Sequence, residues 1–125
     1  MPRSDYIPHN YTQNFLVYTG THDNNTVRGW FNQDADEATR LRLEKYVGRP
    51  LSAAEIHLEL GRMAYSSVAR IAILPLQDVL ALDESARMNT PASGENNWGW
   101  RLMPGQITPG DEDRLRQWTI LYNRE

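Results

Sequence analysis

Two short apolar runs interrupt an otherwise mixed chain. Asn14-Phe15-Leu16-Val17-Tyr18-Thr19 and Arg70-Ile71-Ala72-Ile73-Leu74 are rich in aromatic and branched residues without polar alternation, the pattern of strands covered on both faces. Pro75 ends the second run, since it cannot donate to a ladder. The residues between the runs are too many for a hairpin, so the two strands are expected to be parallel, joined by a helical crossover. Within that crossover Thr26 to Phe31 reads as a short helix, and Asp34 with Glu37 three residues later marks another reaching Val47, closed by Gly48 and Pro50. Ser52-Ala53-Ala54-Glu55 has the form of a capping box with Leu51 and Ile56 as hydrophobic staple. Ile56, Leu60, Met63, Ala64 and Ser67 then follow one helical face. Leu76 to Leu80 adds a helical turn, and Asp83 to Gln106 is a polar stretch rich in Gly, Asn and Pro. Such length is too great for an ordinary connector, and functional loops are often of this kind. Thr108 as cap, Pro109 at the first helical position and Asp111 open a last helix to Asn123, with Leu115, Trp118 and Tyr122 inward.

The fold class that follows is α/β and helix-rich, with 125 residues allowing one domain at most, taken as a single segment spanning 1–125. The 13 basic and 16 acidic side chains leave a net charge of −3 with no basic block, which argues against a nucleic-acid partner. No apolar run approaches the roughly 18 residues of a membrane span, and Met1 to Asp5 lacks the apolar segment of a signal peptide. With no cysteine there is neither a disulfide framework nor a thiolate nucleophile, and a cytoplasmic address is the expectation. The three histidines, His9, His22 and His57, have no ligand spacing, so no metal site is expected. Twelve Arg to one Lys, four Trp and nine Asn enrich the chain in planar and amide groups, which suit polyhydroxylated ligands.

The candidate chemistry begins where the first strand ends. In Tyr18-Thr19-Gly20-Thr21-His22-Asp23-Asn24 the His-Asp pair taken alone is weak, because either residue can simply cap the following helix. Three later segments add to it: Leu74-Pro75-Leu76-Gln77-Asp78 at the next strand end, Ala86-Arg87-Met88-Asn89-Thr90-Pro91, and Asn97-Trp98-Gly99-Trp100-Arg101-Leu102. With Pro8-His9-Asn10-Tyr11, these motifs make the chain resemble, over almost its entire length, the 4-α-glucanotransferases of the amylomaltase or disproportionating-enzyme family, relatives of the α-amylases.

That resemblance implies the C-terminal part of a TIM (β/α)₈ barrel, strands seven and eight with their helices, since a whole barrel needs about 250 residues. It implies an α-1,4-glucan or maltooligosaccharide substrate, no cofactor, and the remainder of the barrel as partner. Asp23 corresponds to the third carboxylate of the family's site, the transition-state stabiliser that grips sugar hydroxyls without being nucleophile or proton donor. His22 would donate to the same sugar. Asn89 and Arg87 are implied at the substrate, Arg87 alternatively bracing the loop with Arg101 through carboxylates such as Asp78. Trp98 and Trp100 either stack on sugar faces or pack the loop against the barrel, with packing preferred. A retaining transferase also needs a nucleophile and an acid/base carboxylate about 5 Å apart. The family carries these on strands four and five, and neither motif occurs here, so the chain alone is expected to be inactive. Exposed strand edges are expected to favour self-association. The competing reading is a non-catalytic glucan-binding or interaction module.

Overall fold

The computed structural model describes residues 6–125, and the reading of Met1 to Asp5 lies outside them. A 3-10 turn at Pro8–Asn10 precedes strand β1 (Leu16–Tyr18), helix α1 (Val27–Gly29) and a π-helical turn, Trp30–Asp34. Helices α2 (Glu37–Val47) and α3 (Ile56–Ser66) lead to β2 (Ile71–Ile73), α4 (Leu76–Val79), a 3-10 turn at Glu84–Ala86, and α5 (Pro109–Leu121). As expected from the crossover, β1 and β2 pair in parallel, Leu16 opposite Ile71 and Tyr18 opposite Ile73. Residues 87–108 contain neither helix nor strand.

The strands differ from expectation in their cover. Val17 is buried against Ala64 and Ala69, with Tyr11, Phe15, Ala72 and Leu74 around it. On the other face Leu16, Tyr18, Ile71 and Ile73 remain nearly half exposed. Side chains alternate across a strand, so α3 covers one face and the opposite apolar row stays open. A second cluster joins Val27, Phe31 and Ile56, with Trp30, Leu43, Leu51 and Leu60 packed against it. Ile56 is its fully enclosed member. Among the described residues no helix is long and apolar enough to cross a membrane.

Two helix starts move. The chain stays wound through Asp34, whose carboxylate accepts from the Asn25 amide at 3.1 Å, so α2 is capped instead by Asp36, accepting from the Thr39 N–H at 2.8 Å. Gly48 closes α2 at φ 90°, where a side chain would be strained. The box expected at Ser52 and Glu55 does not form. The Glu55 side chain makes no cap bond, its carboxylate facing Arg49 together with that of Glu59, and only its carbonyl accepts from the Leu58 and Glu59 N–H groups. Leu51 still joins the cluster around Ile56. A reciprocal capping box occurs on α5, where Thr108 Oγ1 accepts from the Asp111 N–H at 3.2 Å and Asp111 Oδ2 accepts from the Thr108 N–H at 3.0 Å.

Helix α5 ends at Leu121 and lies against α3. Its Trp118 is buried on Gly61, where an added Cβ would stand 2.9 Å from the ring. Beyond the helix, Arg124 donates to the carbonyls of Tyr65 at 2.7 Å, Ser67 at 3.0 Å and Ala64 at 3.3 Å, satisfying the open C-terminal end of α3.

On α3 His57 carries a buried Nδ1 without a hydrogen-bond partner. Burial pushes its pKa below the ordinary 6.5, assisted by Arg114 and Arg28 and opposed by Asp111 and Glu55. The unfolded chain therefore binds a proton there that the folded chain resists, so stability rises as pH climbs toward 6.5 and falls on acidification below it. Urea unfolding at pH 5.5 and 7.5 checks this, and His57→Leu should flatten that part of the pH dependence. Identical slopes for parent and variant would contradict it.

Candidate functional site

The site is assembled from two segments that leave the C-terminal ends of the parallel strands. Residues 19–27 turn from β1 into α1, and the 87–108 loop follows β2 and α4. In the first segment Thr21 donates through both its N–H and hydroxyl to Asn24 Oδ1, at 2.8 and 3.1 Å, a side-chain-closed turn that presents His22 and Asp23 to solvent. His22 Nε2 lies 3.3 Å from Asp23 Oδ2, with the two side chains 57% and 51% exposed. Neither is held by burial.

The second segment reaches back across more than sixty residues. Asn89 donates its amide to Asp23 Oδ1 at 2.7 Å. Arg87 donates from Nε to the Asn89 carbonyl and from a terminal nitrogen to the Asp23 carbonyl, both at 2.9 Å, clamping the two ligand-type side chains by their own backbones. Trp98 completes the group, its ring 5.1 Å from that of His22 and tilted by 37°. The tryptophan sits at φ 61°, a left-handed conformation that costs a bulky residue roughly 1–2 kcal/mol. Its N–H donates to the Met88 carbonyl at 2.6 Å, and Arg101 donates to its carbonyl at 2.9 Å, so the loop holds that strain in place. Asn97 adds two further loop ties, accepting from Thr90 N–H and donating to the Ser93 carbonyl.

The sequence-predicted residues thus divide. His22, Asp23, Arg87, Asn89 and Trp98 come together, Trp98 packing on His22 while remaining 52% exposed. Trp100 does not join them: it lines a separate cavity of about 410 Å³ with Arg28, Asp83 and Gln106. Arg87 and Arg101 do brace the loop, but on backbone carbonyls, Arg101 binding those of Trp98 and Trp100. Asp78, expected as a carboxylate partner for them, is engaged elsewhere. It is buried and accepts from the Thr19 hydroxyl at 2.7 Å and the Val27 N–H at 2.8 Å. Burial pushes its pKa above the ordinary carboxylate value, against the lowering effect of those two bonds. Its place as the only acid between Arg70 and Leu82 was the signal in the sequence, although nothing local named its partners.

A cavity of about 250 Å³ opens beside His22, between Gln77, Asp78, Arg87, Met88 and Trp98. On the other side of the loop one of about 480 Å³ is lined by Asp23, Asn25, Trp30, Asp34 and Arg87. A larger cavity, about 650 Å³, lies elsewhere, walled mostly by aromatic and aliphatic side chains of residues 6–11, β1, α2 and α3, with Arg42 and Lys45 at its wall. It has no acidic lining, and its size does not make it the site. The arrangement around Asp23 can grip hydroxyls: an exposed carboxylate accepts charge-assisted bonds, while the Asn89 amide and His22 ring fix its orientation. His9 lies in the first 3-10 turn, where it stacks on Tyr46, His22 in the loop after β1, and His57 on α3.

Comparison with known proteins gives the family. A family model described as 4-alpha-glucanotransferase matches residues 1–107. The 4-alpha-glucanotransferase of Streptococcus pneumoniae serotype 4 is 44% identical over 117 residues, covering 94% of this chain and 23% of that protein. The Synechocystis enzyme of the same name is 44% identical over 120 residues, with 95% and 23% covered. Among solved structures, amylomaltase from Streptococcus agalactiae in complex with acarbose superimposes with a TM-score of 0.88 at 35% identity, covering 97% of this chain and 24% of that one. The chain therefore spans about a quarter of the length of the relatives it matches. On the family match and these identities, the chain belongs to the 4-alpha-glucanotransferase family.

Proposed function

We propose that the chain forms the strand-seven and strand-eight part of a glucanotransferase (β/α)₈ barrel and contributes its substrate-gripping side chains. In this reading the enzyme moves α-1,4-glucan segments to the 4-hydroxyl of an acceptor sugar with retention. Asp23 accepts hydrogen bonds from the sugar at the breaking bond, and His22 donates to a hydroxyl of the same ring. These bonds strengthen as the ring approaches an oxocarbenium-like transition state, so they act as differential binding. Asn89 orients the carboxylate and Arg87 holds both partners. The nucleophile and the acid/base belong to the part of the relatives that this chain does not span. They form and resolve a covalent glycosyl-enzyme, which an acceptor hydroxyl intercepts in place of water. A cytoplasmic setting belongs to the same proposal, on the cysteine-free composition.

The observation that carries this reading is the exposed Asp23 carboxylate, held by Asn89 and beside His22 where two parallel strands end. Barrel enzymes build their sites at that end from residues of several strands. The open row of Leu16, Tyr18, Ile71 and Ile73 supports the rest of the barrel as partner. In the chain alone, the same row and the free strand edges favour self-association.

The test is to exchange this chain for the matching quarter of the Streptococcus pneumoniae relative and supply maltotriose. The chimaera should release glucose and longer oligosaccharides, while the chain by itself should release neither. A folded but inactive chimaera would sink the proposal, as would turnover by the chain alone.

A further inference from the structure

The loop that presents His22 and Asp23 is secured at both ends by one side chain. Thr19, at the C-terminal end of β1, donates its hydroxyl to Asp78 Oδ2 at 2.7 Å. Val27, the first residue of α1, donates its N–H to Asp78 Oδ1 at 2.8 Å. Asp78 reaches both from α4, directly after β2, and the residue is only 5% exposed. We propose that Asp78 is a positioning residue, its carboxylate fixing the two ends of the 20–26 loop and so the direction in which His22 and Asp23 point.

At the α1 end Arg28 also donates to the Ala81 carbonyl at 3.3 Å, but among the described residues the β1 end has no comparable second tie. The bonds within the loop run from Thr21 to Asn24, and Thr26 Oγ1 accepts from the Gly29 N–H at 3.1 Å. These shape the turn and start α1, but none reaches the sheet. The Asn89 and Arg87 contacts hold the exposed tip from the long loop, which has no regular structure of its own. The Asp78 bonds instead join the loop ends to a short helix that follows β2 and packs on α3, and burial shields them from water. A buried acceptor with two donors is costly to remove singly, since it leaves the donors unsatisfied.

This deepens the reading of His22 and Asp23 as the substrate-gripping pair, and its test does not depend on that reading. Amide hydrogen exchange of the full chain is followed by NMR in the parent, Asp78→Ala, Asp78→Asn and Thr19→Val. In Asp78→Ala the hydrogen-bonded amides of Thr21, Asn24 and Val27 should exchange about tenfold faster or more, with those of α3 and β2 within about twofold of the parent. Asp78→Asn should restore most of the protection, because an amide can accept from Val27 and donate to the Thr19 oxygen. If Asp78→Ala fails to fold, Thr19→Val, nearly isosteric, decides by whether its faster exchange is confined to the loop. Uniform acceleration across the chain, or none, would overturn the proposal. In the chimaera, loop loosening in Thr19→Val should lower kcat with KM nearly kept. Confined loosening with unchanged turnover would leave Asp78 as the loop's anchor and count against the substrate-gripping reading instead.

Discussion

Asp23→Asn, made in the chimaera with the Streptococcus pneumoniae relative, should lower kcat by about 10²–10⁴-fold while KM shifts only a few-fold. The substitution keeps the side chain's shape, and Asn89 can still donate to the remaining carbonyl oxygen, so the loop that carries it need not rearrange. What disappears is the charge. On the proposed role, two sugar hydrogen bonds to an ionised acceptor, about 1.5–3 kcal/mol each and strongest at the transition state, would be weakened, which gives the range stated. Because the side chain is half exposed, the variant's unfolding midpoint should stay near the parent's. Initial rates on maltotriose over a range of concentrations separate the two constants. Unchanged turnover would remove Asp23 from the site, and a raised KM with normal kcat would make it a uniform binding group.

The second large effect concerns the fold. Trp118→Ala should lower the unfolding free energy by about 3–5 kcal/mol, as removal of large buried aromatic side chains does. That is a large part of the 5–15 kcal/mol typical of a domain. The indole fills the space between α5 and α3, packs on bare Gly61 and lies 5.5 Å from the Tyr65 ring, so truncation leaves a hole that neither helix can close alone. Urea melts followed by circular dichroism measure the loss. Gly61→Ala approaches the same contact from the other side, placing a methyl 2.9 Å from the ring, and should cost roughly 1–3 kcal/mol through overpacking. If Trp118→Ala melted with the parent, α5 would not be part of the cooperative unit.

The parts of this fold legible in the sequence are those fixed by near neighbours. The β1 and β2 runs, the stop at Pro75 and the Thr108 cap each depend on a few adjacent side chains, and each is present. The Ser52 box failed for a reason of the same range. Arg49, only six residues before Glu55, offered that carboxylate a cation, and capping lost to it. The winding of Trp30 to Asp34 into a wide turn has no local signature, and it shifted the cap of α2 to Asp36. At the site, the motif residues could be named only through the family they resemble. Arg87 and Asn89 meet Asp23 across 64 and 66 positions, and no periodicity spans that distance. The partners of Asp78 were hidden similarly, since one is a backbone N–H that carries no sequence mark.

Arg124 and Trp118 tie the last helix to the body of the fold. The family model stops at residue 107, yet α5 and the residues after it supply the guanidinium that closes α3 and the indole that lies on Gly61. Helix α3 in turn backs β1 through Ala64 against Val17, and β1 delivers the chain into the His22–Asp23 turn. The span matched by the family model is therefore shorter than the span that packs together, although the relatives align over 94–95% of the chain. A boundary drawn at residue 107 would keep every motif of the site and discard the buttress behind it.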